Sequence, residues 1–258
     1  MDHLSAILDR YTPISLDEMN EVRLLNRSDT KFVFNIDTLA DVLDDAAEFY
    51  KLLTINNLNI LNYHTQYFDS PDLKCYYDHH NGARSRFKVR FREYSDTGQV
   101  FLEVKEKNNK ERTIKNRILV ERMENSLSDQ AVSFIEQYTR VDGCCLIPAM
   151  LTKFSRITLV NEQDKQRITI DLNISFENKR GVKKIPYLVI CEVKLDRNIG
   201  RNIFSDILKS QRIYPLNMSK YSIGTALLEP DIKQNRFKEK IIALNKLRND
   251  TGSYNAAS

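Results

Sequence analysis

The sequence lacks any apolar run that approaches the ~18 residues needed to cross a membrane. Its first ten residues also lack the basic start and apolar core of a signal peptide. These absences predict a soluble, cytoplasmic protein without a membrane span of its own, and they leave a separate membrane-protein partner open. Glycine and proline are scarce, at seven and six of 258 residues, and no low-complexity run occurs. This scarcity argues against a disordered chain.

Cysteine is also rare. The four cysteines, Cys75, Cys144, Cys145 and Cys191, do not have the spacing of metal ligands. Cys144 and Cys145 are adjacent, a separation that disfavours a structural disulfide. Free thiols in a reducing compartment are therefore expected.

The net charge is only +4, so any preference for anions must come from where the charges lie. The densest arrangement is at 84–92, where every even position is Lys or Arg and the odd positions include Phe87, Val89 and Phe91. In a β-strand, successive side chains point to opposite faces. The segment therefore predicts a strand with one cationic face. That face is either a solvent-facing surface for a polyanion or the lining of a charged cavity.

The same alternation of charged and apolar residues recurs in the candidate strands 99–107, 112–121, 165–176 and 186–195. If the apolar rows pack against flanking helices, the charged rows face inward. Burying an unpaired charge is costly, so such an interior needs water, interspersed carboxylates and a polyanionic ligand. Phosphate chains suit it, because Arg and Lys donate to phosphate oxygens. Glu103 and Glu192 would supply oxygen ligands to Mg²⁺ or Mn²⁺.

Periodicity predicts a chain that is mostly antiparallel β-sheet with helices towards its ends. Strands are predicted at 28–36, 58–68, 84–94, 99–107, 112–121, 151–161, 165–176 and 186–195. Helices are predicted at 37–49, 72–80, 128–139, 201–210 and 219–228. Ser15 and Glu18 have the spacing of a capping box.

The expected fold class is α+β, an antiparallel closed β-barrel of about eight strands with flanking helices, since closure removes exposed strand edges. The expected division is an N-terminal helical segment at 1–26, a barrel domain at 27–228 and a charged helical tail at 229–258.

Several short motifs, in order along the chain, resemble the VTC (vacuolar transporter chaperone) domain family. They are Arg27-Ser28-Asp29-Thr30-Lys31-Phe32, Tyr67-Phe68-Asp69-Ser70-Pro71-Asp72, His80-Asn81-Gly82, Lys88-Val89-Arg90-Phe91-Arg92, Phe101-Leu102-Glu103-Val104-Lys105, Arg167-Ile168-Thr169-Ile170-Asp171, Glu192-Val193-Lys194 and Ser219-Lys220-Tyr221. The resemblance implies the polyphosphate polymerase branch of the triphosphate tunnel metalloenzymes, whose fold is an antiparallel barrel around a charged tunnel. It implies synthesis of inorganic polyphosphate from the γ-phosphate of ATP, with Mn²⁺ or Mg²⁺ as cofactor.

The resemblance also implies roles for single positions. Residues that resemble the catalytic cations of the tunnel are Arg90, Arg92, Lys105, Arg156 and Arg167. Those that resemble its other phosphate- or nucleotide-binding residues are Lys31, Lys115, Lys194 and Lys220. Glu192 resembles the metal-ligating glutamate, with Glu103 as a second. The founding motif of the superfamily, Glu-x-Glu-x-Lys, reads Arg27-x-Asp29-x-Lys31 here, which favours the VTC branch.

Alternatives remain open. One is a triphosphatase of the same fold that hydrolyses inorganic triphosphate or a nucleotide. Another is a non-catalytic polyphosphate-binding module, although a pure anion clamp has little use for Glu192. Nucleic acid is not an expected partner, because exposed aromatics interleaved with glycines are lacking and a closed tunnel excludes duplexes. Lys107 and Arg117 are expected to be solvated, and Arg84 and Lys88 could face either solvent or the cavity.

Overall fold

The computed structural model describes residues 2–22, 27–108, 113–196 and 202–254. The strands in these ranges are β1 (Pro13–Ile14), β2 (Arg27–Asn35), β3 (Lys51–Leu53), β4 (Leu61–Asp69), β5 (Arg86–Tyr94), β6 (Gln99–Lys107), β7 (Thr113–Val120), β8 (Ile147–Asn161), β9 (Gln166–Asn178), β10 (Gly181–Ile185) and β11 (Leu188–Asp196). The helices are α1 (Asp2–Leu8), α2 (Leu16–Glu21), α3 (Leu39–Ala46), α4 (Lys74–Asn81), α5 (Asp129–Tyr138), α6 (Ile203–Ser210), α7 (Lys220–Leu228) and α8 (Lys238–Tyr254). Within the described ranges, no helix combines the length and the hydropathy that a membrane span requires.

The main sheet follows the strand order β2-β11-β9-β8-β4-β5-β6-β7. All neighbours on this path are antiparallel. β10 extends β9 as a hairpin, while β3 joins β8 and pairs in parallel with the short strand β1. The expectation of an antiparallel α+β fold is therefore confirmed.

The expected closure into a barrel is not confirmed. In the part of the chain that the structure describes, β2 and β7 form no ladder with each other. One physical reason lies on the free edge of β2, where Phe32 forms a bridge with Pro215 and the Leu216 N–H donates to the Lys31 carbonyl at 2.8 Å. These contacts use backbone groups that a closing ladder would need. Among the described residues, the sheet curls but is not closed by backbone hydrogen bonds along this seam.

Most predicted elements are present, with shifted ends. β8 begins at Ile147, four positions before the predicted start. The predicted helix at 37–49 is a 3₁₀ turn at Ile36–Thr38 followed by α3. The capping box at Ser15 is confirmed. β1, β3 and β10 were not predicted, because strands this short carry too little pattern.

The division into three segments stays a prediction, and the predicted helix start at residue 201 lies outside the described residues. Structurally, α1 contacts α3, and α8 contacts β2.

The outer face of the sheet is apolar and packs against helices. One cluster joins Phe32, Ile170 and Val193 to helices α1, α3 and α6. Another joins Phe91 and Leu102 to α5. Because side chains alternate between faces along a strand, the charged rows lie on the opposite, inner face. The curl of the sheet makes this inner face line a hollow.

A bulge halfway along β9 reverses which of its side chains point into the hollow. The pairing with β8 shifts between Lys153 and Ser155, and Asn173 takes a left-handed conformation with φ 54°. Asn tolerates this region better than most residues. Before the bulge, Asp171 faces inward. After it, Phe176 faces inward instead, where it joins an apolar cluster under α7.

Helix α7 lies across one end of the hollow. Tyr221 and Ile223 share an apolar cluster with Met150 and Phe176. At Gly224, an added Cβ would lie 2.5 Å from both the Met150 Sδ and the Phe176 Cδ1 atoms. Only glycine permits this approach, which brings the first residues of α7 over the inner face.

Asp69, at the end of β4, ties α4 and α7 to the sheet. Its carboxylate accepts hydrogen bonds from the backbone N–H groups of Ser70, Cys75 and Tyr76 at 2.8–2.9 Å. It also accepts one from the Tyr221 hydroxyl of α7. The aspartate of the Tyr67–Asp72 motif thus positions the structure around the hollow.

Candidate functional site

The strand register brings the predicted site residues to the inner face. Directly opposed residues on neighbouring strands share a face, and Glu192 opposes Lys31, while Lys194 opposes Arg167. Across the hollow, Lys105 of β6 comes within electrostatic reach of Lys31 and Glu192. The predicted residues that the register and contacts place on this face are Lys31, Arg90, Arg92, Glu103, Lys105, Lys115, Arg156, Arg167, Glu192, Lys194 and Lys220.

The first ion-pair group joins β2 and β11. Glu192 accepts from the Lys194 ammonium at 2.7 Å and, through its other oxygen, from Lys31. Burial would raise the pKa of Glu192, but Lys194 and Lys31 outweigh it and hold the pKa well below its usual range. Glu192 is therefore ionised at neutral pH, and its side chain keeps 19% exposure to the hollow.

The second group joins β5, β6 and β7. Arg90 donates to one oxygen of Glu103 through Nε at 2.7 Å, and Lys115 pairs with the other oxygen. Arg90 also donates to the Tyr67 hydroxyl at 3.3 Å. Glu103 is only 1% exposed. Burial alone would raise its pKa, but Arg90, Arg92 and Lys115 lower it below the usual range.

The third group joins β8, β9 and α7. Arg156 donates to both oxygens of Asp171, through Nε at 2.5 Å and Nη2 at 2.9 Å. Lys220, the first residue of α7, donates to the same carboxylate. Burial acts to raise the pKa of Asp171, yet the two cations hold it below its usual range. This group fixes the start of α7 against the inner face.

Other inward cations are less fully engaged. The Nε of Arg92 is buried, and it has no hydrogen-bond acceptor among the described residues. Lys88 donates to the Ser219 hydroxyl at 2.7 Å. Burial, followed by the repulsion of Lys105 and Arg90, lowers the pKa of Lys88 to about 7. These groups are the ones best placed to take an added anion.

Two residues of the charged surface were not selected from the sequence. Asp171 alternates with Arg167 and Thr169, so the pattern that identified Arg167 also contained it. Lys88 lies on the inner face rather than in solvent, whereas Arg84 lies before β5 and is exposed. Arg167 lies near α2, where its Nη2 donates to the Met19 carbonyl at 2.8 Å.

One carboxylate of this surface, Glu192, is suited to hold a divalent metal. The described residues contain no cluster of three or more His, Cys, Asp or Glu side chains that could hold a metal. Mg²⁺ usually takes one or two carboxylates together with water and phosphate oxygens. Glu192 fits that role, because its ionised carboxylate is accessible from the hollow. Glu103 is enclosed by Arg90 and Lys115, so its predicted metal role stays a prediction that these contacts do not favour.

The profile of the VTC domain matches residues 26–229, so the chain belongs to the VTC domain family. The resemblance found in the sequence motifs is thereby confirmed. No curated protein shows a significant match to the chain.

Among solved structures, the chain is similar to a putative adenylate cyclase from Bacillus halodurans, with 12% identity, a TM-score of 0.47, and coverage of 76% of this chain and 96% of the other. It is also similar to a putative adenylate cyclase from Vibrio parahaemolyticus, with 12% identity, a TM-score of 0.46, and coverage of 77% and 98%. A third is a putative adenylyl cyclase from Hippeastrum that is described as having a dominant triphosphatase activity, with 12% identity, a TM-score of 0.44, and coverage of 77% and 94%.

Proposed function

We propose that this protein is an ATP-dependent polyphosphate polymerase. In this proposal the γ-phosphate of ATP is transferred to a growing inorganic polyphosphate chain held in the hollow. The observation that carries it is the convergence of the charged rows on one inner face in a chain that belongs to the VTC domain family. A polyanion is the ligand that such a surface stabilises best, because cations there outnumber carboxylates and are partly removed from water.

Phosphoryl transfer passes through a loose transition state, so catalysis consists mainly of positioning and charge stabilisation. The inner face provides both without a Ser, Cys or His nucleophile. Arg90 and Arg156 are held by buried carboxylates, which preorganises their guanidinium groups before the substrate arrives. We assign charge stabilisation at the transferred phosphate to Arg90, Arg92, Lys105, Arg156 and Arg167.

Four further inward lysines hold the nucleotide phosphates and the acceptor chain. These are Lys31, Lys115, Lys194 and Lys220. Glu192 would hold Mn²⁺ or Mg²⁺, with water and phosphate oxygens completing the coordination. Such an ion, when bound, neutralises charge on the phosphates.

The direct test is an assay with ATP, Mn²⁺ and a short phosphate primer, in which the product length is read on a gel. A long polymer supports the proposal. Free phosphate alone would instead establish a triphosphatase, and binding without turnover across several metals would establish a non-catalytic binding module.

Arg92→Met is the most informative variant for this assay. Among the described residues, Arg92 forms no ion pair, and Glu103, which it influences electrostatically, keeps its ion pairs with Arg90 and Lys115. We expect a loss of polymer synthesis of at least about 100-fold. The matched control is Lys153→Met, since Lys153 is an exposed strand residue that pairs with Glu177 on the outer face. The assignment fails if Arg92→Met makes polymer as fast as Lys153→Met.

A cytoplasmic location, a membrane-protein partner and the absence of nucleic-acid binding remain predictions.

A further inference from the structure

A row of aromatic rings crosses the inner face beside the phosphate-binding cations. The ring of Phe101 on β6 lies 5.8 Å from that of Tyr94 on β5, measured between centroids. Tyr94 lies 5.0 Å from Tyr63 on β4, and Tyr63 lies 5.2 Å from Phe154 on β8. The row is continuous over four strands, and neither phosphate binding nor phosphoryl transfer requires it.

The inner end of this row is closed to a ligand. Tyr63 and Phe154 are only 5% and 4% exposed. The Arg156 guanidinium lies over both of these rings, and the Lys220 ammonium lies 4.5 Å from the Phe154 centroid. These two rings therefore support the cations and are not free to contact another group.

The outer end of the row is open. Tyr94 and Phe101 are only half-buried. Leu119 of β7 opposes Phe101 in the ladder and is 62% exposed, although it lies on the inner face. Arg117 lies over the Phe101 ring at 4.6 Å, and it is exposed. An exposed leucine, two accessible rings and a flat guanidinium thus meet at one edge of the hollow.

We propose that this shelf, formed by Tyr94, Phe101, Arg117 and Leu119, binds the base of the donor nucleotide. This inference rests on the proposed function, and it names the part of the substrate that the cations do not recognise. A base stacks on aromatic rings and on the guanidinium plane of arginine. Arg92 lies on the strand next to Phe101, and its buried Nε has no hydrogen-bond acceptor in the part of the chain that the structure describes. A nucleotide on the shelf therefore directs its phosphates towards Arg92 and the ion-pair groups.

The shelf also sets the expected selectivity. Every base has a π-face, so stacking alone tolerates different bases. We expect ATP and GTP to bind with affinities within about tenfold of each other. Inorganic tripolyphosphate has no base and should not use the shelf at all.

The test is a comparison of two ligands by isothermal titration calorimetry, with the full chain. Phe101→Leu removes the ring and keeps an apolar side chain of similar reach. We expect it to weaken ATP binding at least about fivefold and to change tripolyphosphate binding less than twofold. The matched control is Phe87→Leu, because Phe87 occupies the opposite face of β5 and should alter neither affinity. Equal losses for both ligands, no loss for ATP, or no ATP binding by the wild-type chain would overturn the proposal.

A second variant gives an optical readout. The chain contains no tryptophan, so Phe101→Trp places a single reporter on the shelf. Stacking of a base should quench its fluorescence on addition of ATP, whereas tripolyphosphate should leave it unchanged. Quenching by tripolyphosphate to the same extent would contradict base stacking. Both experiments measure binding rather than catalysis. If the chain binds ATP on the shelf but makes no polymer, the proposed polymerase activity is wrong and the inferred base-binding site stands.

Discussion

Arg156 forms a bidentate pair of hydrogen bonds with Asp171, in which Nε donates to Oδ1 at 2.5 Å and Nη2 donates to Oδ2 at 2.9 Å. Both side chains are largely buried, at 15% and 4% exposure. Fork-like pairs of this kind are among the stronger hydrogen-bonded contacts in proteins. The pair joins β8 to β9 and, through Lys220, holds α7 against the sheet.

Arg156→Ala should destabilise the protein by about 3–5 kcal/mol, because it leaves Asp171 buried with Lys220 as its remaining cation. The double variant Arg156→Ala/Asp171→Ala should lose less than the sum of the two single variants, since it removes the orphaned charge as well. Urea unfolding of all four proteins measures the difference. Strictly additive losses would show that the two residues do not form the coupled pair described here.

Anion binding should be coupled to proton uptake above neutral pH. Burial is the main cause that lowers the pKa of Lys88 to about 7 and that of Lys220 to about 8, against an ordinary value of about 10.4. A bound polyanion favours the charged lysines and raises both pKa values again. Between pH 7 and 10 the free protein therefore holds fewer protons than the complex, and affinity falls as pH rises.

Calorimetry of tripolyphosphate binding at pH 8.5, in two buffers of different ionisation enthalpy, measures this uptake. Lys88→Met should reduce the number of protons taken up, while Lys153→Met on the outer face should not. A binding enthalpy that is identical in both buffers would rule out the coupling.

Gly224→Ala should destabilise the protein by about 1–3 kcal/mol, because the new methyl group has no room between α7 and β9. The flexible Met150 thioether can move aside, but the Phe176 ring is packed on all sides. Phe176→Leu should therefore relieve part of the loss when combined with Gly224→Ala. The readout is the urea midpoint, and an unchanged midpoint in Gly224→Ala would mean that α7 does not approach the sheet this closely.

Acid should destabilise the fold in a way that depends on Glu103. Burial acts to raise the pKa of Glu103 in the folded protein, but Arg90 and Arg92 outweigh it and lower the pKa, while an unfolded glutamate has a pKa of about 4.3. Its contribution is thus fully present above about pH 4.3 and is lost as pH falls below that value. Glu103→Gln should flatten the fall in stability between pH 4 and pH 2. An equally steep fall in both proteins would assign it to other carboxylates.

The grouping of the charged residues on one face of each strand was predictable from the sequence, because it depends on a local period of two residues. That period separated Arg90 and Glu103 from the apolar residues of their strands, but their inward facing also required helices to pack against the apolar rows. It could not predict the change of facing along β9, since a single left-handed residue, Asn173, shifts the pattern for everything after it. Asparagine in the middle of a strand is the only local signal of that shift.

Contacts between distant segments were beyond the sequence patterns. Lys31 and Glu192 meet because β2 and β11 are neighbours in the sheet, although they are far apart in the chain. The expected closure is not confirmed among the described residues for a similar reason. The edge of β2 is used by Pro215 and Leu216, which belong to no periodic element. The aromatic shelf was also missed, because its rings come from different strands and Arg117 was expected to be solvated.

The carboxylates Glu103, Asp171 and Glu192 act as resident counter-ions in a cationic hollow. A phosphate that enters must exchange places with a carboxylate at each cation that one of these three carboxylates holds, so much of each attraction gained there replaces an old one. When the phosphate moves on, the carboxylate returns. We therefore expect the hollow to be suited to passage rather than retention, because a long anion can advance one unit at a time without ever being held too tightly to leave.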